Sequence, residues 1–322
     1  MPTLGETAVP DRSALEPPSR QRNAQERHGP YMRLRTLQPT EVPFHPILAE
    51  LQQSKNTSPP ALIPFLTAVL SEAISFMDDE LPQSFKTESA NKQSPPSSAP
   101  VELLTNQPSA SGASEAWFAR RSVHVSERKR GTADYPEFVK GLLDDHSQHE
   151  MEYTPDVFDA LKVLDWDEDI AKQTGETRTL DGFENVRMAV YEMCHHIPFP
   201  LYNRTFAVVV IMATTPKTYP KSFVVVQVPV DISKLPAAMY SNGRNRQEGN
   251  SARKRKKVVL GEYVSVERVK AMEHGEDKIT WEMATASDAK GWLPMWAQKM
   301  GVPGAVVKDV GLFMDWTAKR RA

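Results

Sequence analysis

The sequence has a single cysteine, Cys194, which excludes an intrachain disulfide framework and suits a reducing compartment. No apolar run approaches the ~20 residues of a membrane-spanning helix, so no transmembrane segment is expected. Residues 1–22 lack the apolar core of a secretory signal. The charges nearly cancel, 39 basic against 41 acidic residues, net -2. That balance excludes a general electrostatic attraction to nucleic acid or membrane. No internal repeat is present, and the expected location is cytoplasmic, with the nucleus as the alternative.

A convincing catalytic constellation is also missing. Cys194-His195-His196 sets a thiol beside a base, but chain neighbours rarely meet in the needed geometry and no orienting acid is identifiable. His146 and His149 stand three apart, unlike the spacing of a His-Glu-x-x-His zinc helix, so no metal is expected. Asp145-His146 with His149-Glu150 reads as a solvated polar turn. No cofactor is implied.

What the chain does contain is unevenly spread. Sixteen of its 26 prolines precede residue 109, which puts most of the packed protein after that point. Residues 1–45 read as a polar, disordered tail. Within 46–81, Phe65, Leu66, Val69, Leu70, Ala73, Ile74 and Met77 recur at helical spacing and predict an amphipathic helix that packs on the main domain or on a partner. Residues 82–114, rich in serine and proline, read as a flexible linker. Residues 115–322 form the expected folded domain.

Strands are predicted at Trp117–His124, Val186–Met193, Phe206–Ala213, Phe223–Val230, Val258–Val269 and Ile279–Thr285, several of them rich in β-branched residues. Tyr135–Leu143 is ambiguous. Thr154-Pro155-Asp156 can cap a helix with Val157, Phe158, Leu161 and Leu164 on one face. At the C-terminus a short helix at Met295–Met300 is expected to break at Gly301–Gly304, because Pro303 cannot donate to the ladder. A second helix, Ala305–Lys319, has Val306, Val310 and Phe313 on its apolar stripe and Lys308, Asp309, Asp315 and Lys319 on its polar side. Strands joined by short turns, with helices early and at the end, predict an α+β antiparallel sheet.

Certain stretches resemble a known family. They are Glu152-Tyr153-Thr154-Pro155, Asp165-Trp166-Asp167, Pro198 to Phe206, Tyr240 to Asn245, Tyr263 to Val269, Ser287 to Pro294, and Met295-Trp296-Ala297-Gln298 running to Phe313. In this order they resemble the START (steroidogenic acute regulatory protein-related lipid transfer) fold, and more closely an uncharacterised fungal START-like family, a domain of unknown function. The resemblance covers roughly Glu115 to Trp316. It implies a helix-grip fold, in which a curved antiparallel sheet wraps the long C-terminal helix with a hydrophobic cavity between. It also implies non-enzymatic binding of a hydrophobic small molecule, in the first instance a lipid.

The cavity candidates are Trp281, Met283, Val264, Val266, Arg268, Val306, Val310 and Phe313. Glu267 and Arg268 are adjacent in a strand, so at most one faces an interior formed on a single side, where a charge could orient a ligand head group. Arg253, Lys254, Arg255, Lys256 and Lys257 form a basic insert suited to peripheral contact with an anionic membrane or to nuclear import. It carries no interleaved aromatics, so nucleic acid is not an expected partner. Two alternatives stand beside this reading. One is a helix-grip enzyme of cyclase or hydrolase type using an inward Glu or His, with Glu282 and Glu267 as the carboxylates to watch. The other is an interaction module built on the helix at 60–81.

Overall fold

The computed structural model describes residues 29–53, 58–106, 115–197, 199–215, 221–246, 259–272, 277–290 and 295–321. In chain order the elements are α1 (Ala49–Gln52), α2 (Leu62–Ser75), α3 (Leu81–Ser84), β1 (Lys86–Lys92), β2 (Val101–Asn106), β3 (Trp117–Val125), α4 (Tyr135–Phe138), α5 (His146–Tyr153), β4 (Val157–Asp165), α6 (Asp167–Thr174), β5 (Glu184–His195), β6 (Arg204–Thr214), β7 (Ser222–Pro229), β8 (Val259–Ala271), β9 (Lys278–Asp288) and α7 (Met295–Arg320).

The strands form one sheet in the order β1-β2-β3-β9-β8-β7-β6-β5-β4, antiparallel between every neighbouring pair. A short parallel contact also ties the start of β6 to the start of β8. A helix lies against each face. Because strand residues alternate between faces, each inner strand feeds two separate cores. On one face Phe65, Leu66, Val69, Leu70 and Ala73 of α2 share a cluster with Val224, Val226, Val264, Val266 and Ala284. On the other, Val306, Val310, Phe313 and Met314 of α7 share a cluster with Val208, Val225, Val269 and Trp281. The expected α+β, START-like helix-grip architecture is therefore present, with the terminal helix held against a large antiparallel sheet.

Several expectations need correction. The stretch 82–114 is not wholly a linker. Phe85, Val101, Leu103 and Leu104 are buried, and β1 and β2 extend the sheet beside β3. The tail is not free through residue 45 either, since Met32, Leu37 and Val42 are fully buried against the α2 side. Tyr31 and Met32 donate their backbone N–H groups to Glu72 Oε1 on α2. Residues 157–165 form edge strand β4 rather than a helix, since pairing with β5 satisfies their backbone groups. The terminal helix is continuous through Pro303, whose missing N–H removes one bond from a ladder held in place by packing downstream. The helix predicted at 60–81 is docked on the domain, on the face opposite α7. It is neither a free partner-binding arm nor a lid over the terminal helix.

Candidate ligand site under the terminal helix

The site arises from register. Arg120 in β3 pairs with Met283 in β9, and Met283 pairs with Glu267 in β8. These three residues form one row across the sheet, on the face covered by α7. Arg120 reaches over Met283 and donates from Nη2 to Glu267 Oε1 at 3.0 Å. The same oxygen accepts Trp281 Nε1–H at 2.7 Å. The Arg120 guanidinium lies 3.9 Å from the centroid of the Trp281 ring, a cation–π contact. Arg120 is only 1% exposed, yet its Nε and Nη1 have no protein hydrogen-bond partner.

Two helices close the row. From α5, His146 is buried and donates Nδ1–H to the Leu142 carbonyl at 2.7 Å. That leaves Nε2 as an acceptor, 3.3 Å from the Gln227 amide nitrogen of β7. Burial holds His146 below the usual histidine range, with Glu267 and the Leu142 carbonyl pulling the other way. One turn on, Glu150 approaches His146 Nε2 at 3.7 Å. Burial, then Asp309 and Glu267, push the Glu150 carboxyl up to about 8. Its Oε2 is closed to solvent without a hydrogen-bond partner, although the side chain as a whole keeps 22% of its surface exposed. From α7, Asp309 borders the same space. Burial raises it to about 6, partly offset by Arg120 and reinforced by Glu267. Tyr153 and Tyr263 complete the rim, both raised above the normal tyrosine range by burial first and by Glu150 among the neighbouring carboxyls.

These groups enclose about 20 Å³ among the described residues. One water needs roughly 10–15 Å³ measured in the same way, so the closed form has no room for a lipid. The larger hollows are open grooves elsewhere. One of them, about 860 Å³, runs beside α2 at Gly29 and Glu72. It shares no lining residue with the Arg120 row. Aromatic packing surrounds the polar space. Phe313 stacks among Phe138, Tyr153, Trp281 and Trp316, with ring centroids 5.2–5.9 Å apart.

Of the residues expected to line a cavity, Trp281, Met283, Val306, Val310 and Phe313 lie on the α7 face. Val264, Val266 and Arg268 lie on the other face, under α2. Both Glu267 and Arg268 are buried, because the sheet is covered on both sides rather than one. Arg253, Lys254, Arg255, Lys256 and Lys257 lie outside the described residues. Asp309 borders the interior rather than standing with the solvated residues of the helix. His146 and Glu150 belong to a helix that packs inward, not to a solvated turn. Arg120, His146, Glu150, Tyr153 and Asp309 were missed as site residues. The available signal was the alternation in Trp117–Val125, which sets Arg120 and Arg121 on opposite faces. Among the described residues no group of His, Cys, Asp and Glu could hold a metal ion, and no helix is long and apolar enough to cross a membrane.

A sheet that grips its terminal helix over a polar inner row defines a START-like helix-grip domain. Residues 117–317 match a family described as protein of unknown function (DUF3074), and the chain belongs to that family. No curated protein matches the sequence. Among solved structures the chain is similar to human STARD10, at 13% identity over 83% of this chain and 84% of that one, with a TM-score of 0.49. It is also similar to the lipid transfer and protein localization domain of human StarD13 (DLC2), at 12% identity over 77% and 95%, with a TM-score of 0.42.

Proposed function

We propose that the domain binds an apolar molecule with a polar end, a lipid being the first class to test, between the sheet and α7. The observation that carries this is Arg120. A guanidinium with two nitrogens, Nε and Nη1, left without protein acceptors, in a setting 1% exposed, costs folding free energy unless something accepts from it. A ligand oxygen at that point would recover the cost, and the Trp281 and Phe313 rings beside it offer an apolar wall for the remainder. The closed space is too small, so uptake requires α7 to move outward, and the closed state described above is the unloaded one. Burying the apolar part contributes about 25 cal/mol per Å², less the cost of ordering the ligand and reseating the helix.

The enzyme reading draws on the inward Glu150, which burial pushes up to about 8, with His146 Nε2 at 3.7 Å. On Glu282, one of the carboxylates it would use, burial is outweighed by Arg268 and Arg121, which hold the group below the usual glutamate range. The test is native mass spectrometry of protein purified without detergent, before and after incubation with a mixed lipid panel. A bound lipid in the wild type, lost in Arg120→Met while the variant still melts cooperatively, is the expected result. A wild type that stays empty across the panel would sink the proposal.

A further inference from the structure

Another hollow lies at the C-terminal end of α7 and shares no lining residue with the Arg120 row. It encloses about 70 Å³ between the last turns of the helix, the loop at 126–132 and the segment that follows α4. Its lining sets four cations, Arg128, Lys140, Arg320 and Arg321, against one carboxylate, Glu137. The whole chain has a net charge of -2, so this concentration of positive charge is local. The carboxylate is already matched. Arg321 bonds both Glu137 oxygens, at 2.7 Å through Nε and 2.6 Å through Nη2, and is also anchored on the Lys129 and Thr132 carbonyls.

The other three cations keep bonding capacity. Lys140 is exposed and pairs with no carboxylate among the described residues. Arg128 is 65% exposed and gives only its Nε to protein, 3.3 Å from Glu137 Oε1 and 4.0 Å from Asp134. Arg320 lies over the Trp316 ring at 4.4 Å and bonds Glu152 through Nη2, with 41% of each side chain of that pair exposed. An ion pair so open to water holds weakly, so Arg320 can be shared with a second anion at little cost. Guanidinium and ammonium donors around one small space match a phosphate group, whose oxygens take several charge-assisted hydrogen bonds at once. The volume agrees, since one water needs roughly 10–15 Å³ measured in the same way and about 70 Å³ admits a group of several heavy atoms. We propose that this hollow binds a phosphate group, either inorganic phosphate or the phosphate of a small soluble molecule. The bound group ties the last turn of α7 to Arg128 and Lys140. This goes beyond ligand binding under α7 and does not depend on it.

The experiment titrates the full chain, in buffer free of phosphate, with inorganic phosphate and with glycerol 3-phosphate. Sodium chloride at matched ionic strength is the control for screening. Isothermal titration calorimetry and the shift in melting temperature read the binding. The expected result is a single site that takes at least one of the phosphate probes, no response to chloride, and slower hydrogen exchange at 316–321 in the bound form. In the Arg128→Gln, Lys140→Gln double variant the affinity should fall at least about ten-fold, because two charged donors are lost. Both side chains are exposed, so the variant should melt with the wild type in chloride. Undiminished affinity in that variant would overturn the proposal, as would a wild type that responds to phosphate no more than to chloride. Cosedimentation with phosphatidylcholine vesicles carrying phosphatidic acid separates the sources of the group. Binding to those vesicles with no response to either soluble probe would also overturn it, since the patch would then be a membrane contact rather than a phosphate site.

Discussion

Two buried arginines, one on each face of the sheet, make the most informative contrast in the molecule. On the α2 face, Arg121, Glu282 and Arg268 form a cross-strand row next to the Arg120 row. Arg268 has a protein acceptor on every guanidinium nitrogen. Its Nε and Nη2 bond Glu282 Oε2 at 3.2 and 2.9 Å, Nη1 bonds Asp78 at 2.6 Å, and Nη2 also reaches the Met77 carbonyl. Arg120, no more exposed, makes one hydrogen bond to protein. Both pairs hold the sheet to its surroundings. Only the one on the α7 face keeps bonding capacity in reserve, and unspent capacity is what distinguishes a site from a strut.

The largest expected effect tests that contrast. Arg268→Met should cost about 3 kcal/mol, since it strips a buried carboxylate of a partner that bonds it through two nitrogens and unties Asp78 from the sheet. Arg120→Met also strips a buried carboxylate, Glu267, of its cation, but it removes the unmade hydrogen bonds of Nε and Nη1 as well, so it should cost about 1–2 kcal/mol less than Arg268→Met. Urea denaturation of both variants measures the difference. Equal costs would mean that Arg120 is as fully used as Arg268.

The next effect is confined to the α7 face. Gly311 packs so closely on the 94–95 segment that an added Cβ would lie 2.6 Å from the Ser94 carbonyl oxygen and closer still to that of Pro95. Its N–H also donates to Ser94 Oγ at 2.8 Å. Backbone atoms cannot swing aside as a side chain can, so Gly311→Ala should cost about 1–3 kcal/mol by overpacking. Hydrogen exchange should then rise along 303–320 while residues 62–84 on the other face stay protected. Loss of protection on both faces together would show that the two cores do not respond separately.

Much of the sheet was legible because β6 and β7 are runs rich in β-branched residues and β9 keeps a period of two. Ile279, Trp281 and Met283 against Glu282 and Ala284 give the two faces of β9 directly. The failures have local causes. In β4, register shifts between 157 and 159 and between 162 and 164 break the alternation, so Val157, Phe158, Leu161 and Leu164 mimic a helical stripe. In β1 every residue but Ser89 is exposed, and polar composition concealed an edge strand. The site was harder to read because its members lie far apart in sequence. Arg120 and Glu267 are 147 residues apart and meet only through Met283. A second obstacle was the expectation of one buried face. Once α2 covers the other, the adjacent pair Glu267 and Arg268 can both be interior, each serving a different core.

The carboxyl groups of the two faces should also respond to pH in opposite senses, which is the smallest effect predicted. On the α2 face Glu282 has a lowered pKa, so the folded state holds its proton less tightly than the unfolded chain. Its stabilising contribution is present above the ordinary glutamate range and is lost as pH falls through the lowered value. On the α7 face Glu150 is raised to about 8 and Asp309 to about 6, so the folded state binds protons that the unfolded chain has released. There stability falls as pH rises, chiefly between about 4 and 8, by at most about 1.4 kcal/mol per pH unit for each group in its window. His146 and His124, lowered by burial and the latter to about 3, act in the opposite sense. The unfolded chain protonates them below about 6.5 and the folded state does not, so they take stability away on the acid side. Between pH 6.5 and 8 the histidines fall silent and Glu150 dominates. Urea midpoints across that interval should drop for the wild type by about 1–2 kcal/mol and stay level for Glu150→Gln. A wild type as flat as the variant would mean that Glu150 is already ionised beneath the helix.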